Sequence, residues 1–178
     1  RLDDEAGENG VVLEVLRNQK LSFSVSNGGE TQSVTSEQEL QTRRWIHVAA
    51  VIGNGIDPTD TAETPIAKTS LTLFINGQMD GSVAHEDPTK SMLPATVTRT
   101  RNIIGSATAT DSVVGMEGDI DEIRLWKSVR TEEQIKGYMR QELEEIDENL
   151  VGLWQFGEGS GIAAFDKTAF GNHALLGG

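Results

Sequence analysis

The chain has 178 residues, a formal net charge of −13 and no cysteine, so it is sized for one domain (1–178) with a substantial core and has no disulfide framework or thiolate chemistry. The charge argues against nucleic acid and anionic membrane surfaces, which call for basic patches, and is compatible with calcium binding or plain solubility. No apolar run reaches the ~20 residues of a membrane span; residues 1–10 lack the basic start and apolar stretch of a signal peptide, and the opening Leu2-Asp3-Asp4-Glu5 reads as a mature segment or a piece of something longer.

Short β segments between polar turns fill most of residues 11–125. Val11–Leu16 and Leu21–Val25 form a hairpin across Arg17-Asn18-Gln19-Lys20, with Leu21, Phe23 and Val25 alternating with serines. Asn27-Gly28-Gly29 breaks the chain. Trp45–Ile52 is nearly continuous apolar, with His47 inside it, and reads as a central strand buried on both faces. Gly53–Thr69 is polar, carries Pro58 and Pro65, and reads as a loop. Leu71–Ile75 leads into Asn76-Gly77, a signal for a two-residue turn with positive φ at both positions, and Gln78–Val83 is its return strand. Residues 84–95 form another polar loop before Val97–Ile104.

Gly118–Trp126 (Gly-Asp-Ile-Asp-Glu-Ile-Arg-Leu-Trp) alternates so that Asp121, Ile123 and Leu125 share a face. A carboxylate beside Ile and Leu is costly unless it is bonded, ion-paired or metal-bound. Either the strand begins in water, or it holds Asp121 against a specific partner.

One short helix is predicted near residues 131–143. Thr131 and Gln134 match a capping box, Glu132 and Glu133 suit the first turn, and Ile135, Tyr138, Met139 and Leu143 make an apolar stripe. The acidic run Glu142–Glu148 opposes the helix dipole and predicts fraying there. Leu150–Phe156 then reads as an aromatic strand, Gly157–Gly161 as a loop and Ile162–Asp166 as a short strand. Many short antiparallel strands with one late helix predict an all-β, two-sheet antiparallel jelly-roll sandwich.

Three segments carry a resemblance. Arg44-Trp45-Ile46-His47-Val48-Ala49, the hairpin Leu71-Thr72-Leu73-Phe74-Ile75-Asn76-Gly77, and Gly118–Trp126 with Arg130-Thr131-Glu132-Glu133-Gln134-Ile135 resemble, in order, motifs of laminin G-like jelly-roll domains. These belong to the concanavalin A-like superfamily and are relatives of the pentraxins. The segment 150–178, with Leu153-Trp154-Gln155-Phe156, Asp166 and Gly171-Asn172, resembles the opening strand of such domains, here at the C-terminal end. It either closes its own sandwich, marks a cut out of register from a tandem array, or is donated to a neighbouring copy; an unpaired edge must be satisfied somehow.

The resemblance implies a structural calcium ion near Asp121, with Asp166 and Asn172 approaching if the tail folds back; calcium takes six to eight oxygens. The competing reading is an Asp that accepts backbone amides. His47 reads as a satisfied sheet residue, and no two histidines have zinc spacing. Asp119, Asp121 and Glu122 are not in the place of the carboxylate motif of family-16 glycoside hydrolases, and no nucleophile elbow or phosphate loop is present, so no catalytic residue is assigned. Among the aromatics, Trp45, Trp126, Trp154, Phe23 and Phe74 read as core and Phe170 as the exposed ring; no ligand-binding residue is assigned.

The expected function is a non-catalytic, calcium-stabilised binding or adhesion module of an extracellular or cell-surface protein, with a glycan or protein partner. The alternative is a structural repeat that assembles with neighbouring copies by terminal strand exchange.

Overall fold

A computed structural model of the chain describes residues 1–4, 8–56, 67–87, 90–109, 112–143 and 145–176. It forms two compact units, Arg1–Met116 and Glu117–Gly178. The chain is all-β and antiparallel with one short helix, as the alternating segments predict.

The strands of the first unit are, in chain order, β1 (Leu2–Asp3), β2 (Gly10–Val15), β3 (Lys20–Asn27), β4 (Glu30–Glu39), β5 (Val48–Ile56), β6 (Ala67–Ile75), β7 (Gln78–Ala84), β8 (Arg101–Asn102), β9 (Ser106–Ala109) and β10 (Ser112–Gly115). One sheet runs β4-β3-β2-β1-β8 and a second β5-β6-β7, with β9 and β10 as a separate hairpin. The two larger sheets face each other across Leu21, Phe23 and Val25 of β3, Val34 of β4, and Leu71 and Leu73 of β6. These are the inward positions of a period-two pattern, so burying that face drives the layers together.

At a bulge in β3 the pairing with β4 shifts between Lys20 and Ser22. The Leu21 amide donates instead to the Oγ of buried Ser36 at 2.9 Å, and that hydroxyl donates to the Gln38 carbonyl at 2.7 Å. The layers are also tied at their borders. Asp80 of β7 accepts the Gln38 amide at 3.2 Å and its side-chain Nε2 at 2.7 Å. Gly81 admits the close approach, because a Cβ there would lie 3.0 Å from the Thr35 carbonyl oxygen.

Several expectations change. The longest described strand, β4, lies in a stretch where Val34 is the one apolar residue and which the sequence pattern does not mark as a strand. The apolar run begins its strand at Val48 rather than Trp45, and β5 is a half-buried border strand of its sheet, not a central one. Pro58 and Pro65 of the expected loop lie outside the described residues; β5 extends to Ile56 and β6 starts at Ala67. Only Arg101–Asn102 of Val97–Ile104 pairs in a sheet. Asn76 and Gly77 do turn with φ of 51° and 76°.

The second unit holds β11 (Ile123–Trp126), α1 (Glu132–Tyr138), β12 (Leu150–Trp154), β13 (Ala163–Ala164) and β14 (Ala174–Leu175). β12 of the tail pairs antiparallel with β11 of the same chain, from Ile123 opposite Trp154 to Trp126 opposite Leu150. The capping box forms, with Thr131 Oγ1 accepting the Gln134 amide and Gln134 Oε1 accepting the Thr131 amide. The helix stops at Tyr138, short of residue 143, before the acidic run that its dipole disfavours. The Arg124 guanidinium takes up the carbonyls of Tyr138 (2.8 Å) and Gln141 just beyond it. Gly152 makes room for the buried Trp154, whose indole occupies the space a Cβ would need.

Candidate functional site

Asp166 is a hydrogen-bond hub. It is 5% exposed. Its Oδ1 accepts the amides of Leu153 (3.0 Å) and Thr168 (2.9 Å), and its Oδ2 accepts the Thr168 hydroxyl and the Asn172 amide, both at 2.9 Å. Burial alone would raise its pKa; the Thr168, Leu153 and Asn172 amides outweigh that and hold the carboxyl below the ordinary range. Asn172 completes the staple. Its carbonyl accepts the Trp154 indole N–H at 2.9 Å, and its side-chain amide donates to the Val151 carbonyl at 3.1 Å.

The three residues expected to hold calcium thus divide. Asp166 and Asn172 come together, with the Asn172 amide donating to the Asp166 carboxylate. Asp121 is exposed, just before β11, and accepts the amide of Glu122, whose φ of 51° breaks the strand's alternation. The strand therefore begins in water, the first of the two readings the sequence left open. In this arrangement the lone pairs of Asp166 are already engaged. A carboxylate offers about four lone-pair sites, and at Asp166 four donors point at them. Among the described residues no group of three or more His, Asp or Glu side chains is placed to hold a metal ion.

The carboxylates nearest to a hydrolase motif lie at the surface or in an ion pair. Asp119 and Asp121 are exposed, and Glu122 is held by Arg124 at 3.1 Å and 2.8 Å.

The site that the sequence reading missed is Trp45. Assigned to the core, it is instead 69% exposed, on the loop that precedes β5. Both ends of this loop are fixed. The Leu40 amide donates to the Gln19 carbonyl at 2.7 Å. At the other end the Asn76 amide donates to the His47 carbonyl at 2.8 Å, and Asn76 Oδ1 accepts the His47 amide at 3.2 Å. The turn that joins β6 to β7 therefore also anchors the loop. Arg43 sits at φ 64°, a left-handed conformation uncommon outside glycine, and both Arg43 and Arg44, which precede Trp45 in the chain, are exposed. The result is an exposed indole on a loop tethered at both ends, preceded in sequence by two exposed arginines, on an otherwise acidic protein. Phe170, the ring expected to be exposed, is so, at 58%.

Residues 1–136 match the Laminin_G_3 family model, described as the concanavalin A-like lectin/glucanases superfamily, and the chain belongs to that family. No curated protein matches it. Among solved structures it is similar to a 2.1 Å crystal structure of residues 221–444 of an S-layer domain-containing protein from Clostridium thermocellum ATCC 27405, with 24% identity and a TM-score of 0.39. That likeness covers 76% of this chain and 58% of the other, so the chain spans less than two thirds of that structure. No helix among the described residues is long and apolar enough to cross a membrane.

Proposed function

We propose that the chain is a non-catalytic recognition module of a surface or secreted protein, and that it binds a glycan through Trp45. The observation that carries this reading is the solvent-facing indole on a loop pinned at both ends. A large apolar ring is normally buried. A ring held outward by anchored backbone offers a flat face on which the C–H side of a sugar can stack at little entropic cost. Arg43 and Arg44 stand ready to donate to sugar hydroxyl or acidic oxygens. Membership of a superfamily that includes lectins supports the same reading.

The reading does not call on calcium; the Asp166 oxygens accept four protein donors. Terminal strand exchange is the weaker alternative, because Leu150–Trp154 already has an antiparallel partner in its own chain. A printed glycan array tests the proposal: binding to a restricted set of glycans is expected, and its loss in Trp45→Ala with unchanged melting temperature. Binding only to a protein partner would redirect it.

A further inference from the structure

One sheet border of the first unit lacks a neighbour. In the order β5-β6-β7, β5 bonds to β6 on one side and, among the described residues, to no strand on the other. Its nine residues, Val48-Ala49-Ala50-Val51-Ile52-Gly53-Asn54-Gly55-Ile56, hold no charge and no proline. The unpaired N–H and C=O groups of such a strand are a template for another strand, and native borders are blunted by charge, proline, shortness or cover.

The other borders of the two larger sheets carry those devices. β4 bears Glu30, Glu37 and Glu39. β7 is drawn against β4, where a Cβ on Gly81 would lie 3.0 Å from the Thr35 carbonyl oxygen and Asp80 accepts two bonds from Gln38. β8 is two residues long and begins with Arg101. Among these borders β5 alone is long, neutral and uncovered by a strand. Its Val48, Ala50 and Ile52 pack against the core of the sandwich, so Ala49 and Val51 lie on the opposite face. All five are half-buried.

We propose that β5 pairs antiparallel with β5 of a second copy about a twofold axis, which joins their two sheets into one. Self-complementarity and charge choose a second copy as the occupant. With Ala50 opposite Ala50 of the second copy, Val48 faces Ile52 and Ala49 faces Val51, so core-facing residues meet core-facing residues and the register holds. Each copy carries a net charge of −13, so two copies repel, and contact between them falls where each is locally neutral. That place is β5, which has no carboxylate and is preceded by the exposed Arg43 and Arg44. Self-pairing of β4 would instead set Glu against Glu. No segment leaves its own fold, which separates this contact from terminal strand exchange, and it depends on neither Trp45 nor a glycan.

Sedimentation velocity of the whole chain, from about 1 μM to about 1 mM, tests this. A monomer–dimer equilibrium is expected within that range. The double variant Ala49→Lys/Val51→Lys sets ammonium groups opposite one another across the axis and should weaken the dimer about tenfold or more, whereas Glu37→Lys on β4 should not weaken it. Hydrogen exchange of the wild type gives a readout that needs no substitution: amides of β5 should gain protection as concentration rises, and amides of β4 should not. A monomer throughout the range, a dimer of undiminished affinity in Ala49→Lys/Val51→Lys, or protection that rises on β4 instead of β5, overturns the proposal.

Discussion

Four donors converge on two oxygens at Asp166, and this arrangement explains why an Asp, a Thr and a Gly-Asn stand together in the tail. Asp166→Asn replaces one oxygen with an amide that faces two donors. Charge-assisted bonds in a buried setting are each worth about 1.5–3 kcal/mol, so the variant should lose roughly 2–3 kcal/mol in urea unfolding. The folded carboxyl titrates below its unfolded value of about 3.9, so its contribution is present above roughly pH 4 and disappears as pH falls through the folded pKa. Urea midpoints measured across that range should fall on acidification in the wild type, and less steeply in Asp166→Asn. An equal slope in both would place the acid sensitivity elsewhere.

Two element-scale contacts can be tested in the same way. Ser36→Ala strands the Leu21 amide at the β3 bulge, a buried donor without a partner, and should cost about 1–3 kcal/mol. Gly152→Val drives a side chain into the Trp154 ring across β12 and should cost about 1–3 kcal/mol, with a change in tryptophan fluorescence. A neutral result for Gly152→Val would mean that the ring does not lie over that glycine. These elements also mark how far the sequence could be read. The hairpins at Arg17–Lys20 and Asn76–Gly77 and the capping box at Thr131 are local chemistry, and local chemistry is legible. β4 was not, because a border strand buries little: only Val34 and Ser36 are buried along Glu30–Glu39, too few to stand out from a loop. Trp45 misled for the opposite reason. It continues the apolar run of β5 in sequence, yet the backbone leaves the sheet before Val48, and hydropathy does not record where a strand starts. The tail motif was visible; its chemistry was not, since an Asp that binds metal and one that binds amides look alike until the donors around it are placed.

For the whole molecule, a concanavalin A-like sandwich supplies two layers that fix the loops at their borders, and recognition falls to what those loops present. The net charge of −13 makes the basic, aromatic Trp45 loop stand apart from its surroundings. Calcium has no part in this account, so thermal melting should be the same, within about a degree, in millimolar calcium and in chelator; mass action would otherwise raise the midpoint. The most direct test is quantitative glycan binding by the wild type and Trp45→Ala, alongside their melting curves. The account predicts at least a roughly tenfold loss of affinity, in keeping with a central aromatic hot spot, at an unchanged melting temperature. Wild-type affinity in Trp45→Ala would contradict it.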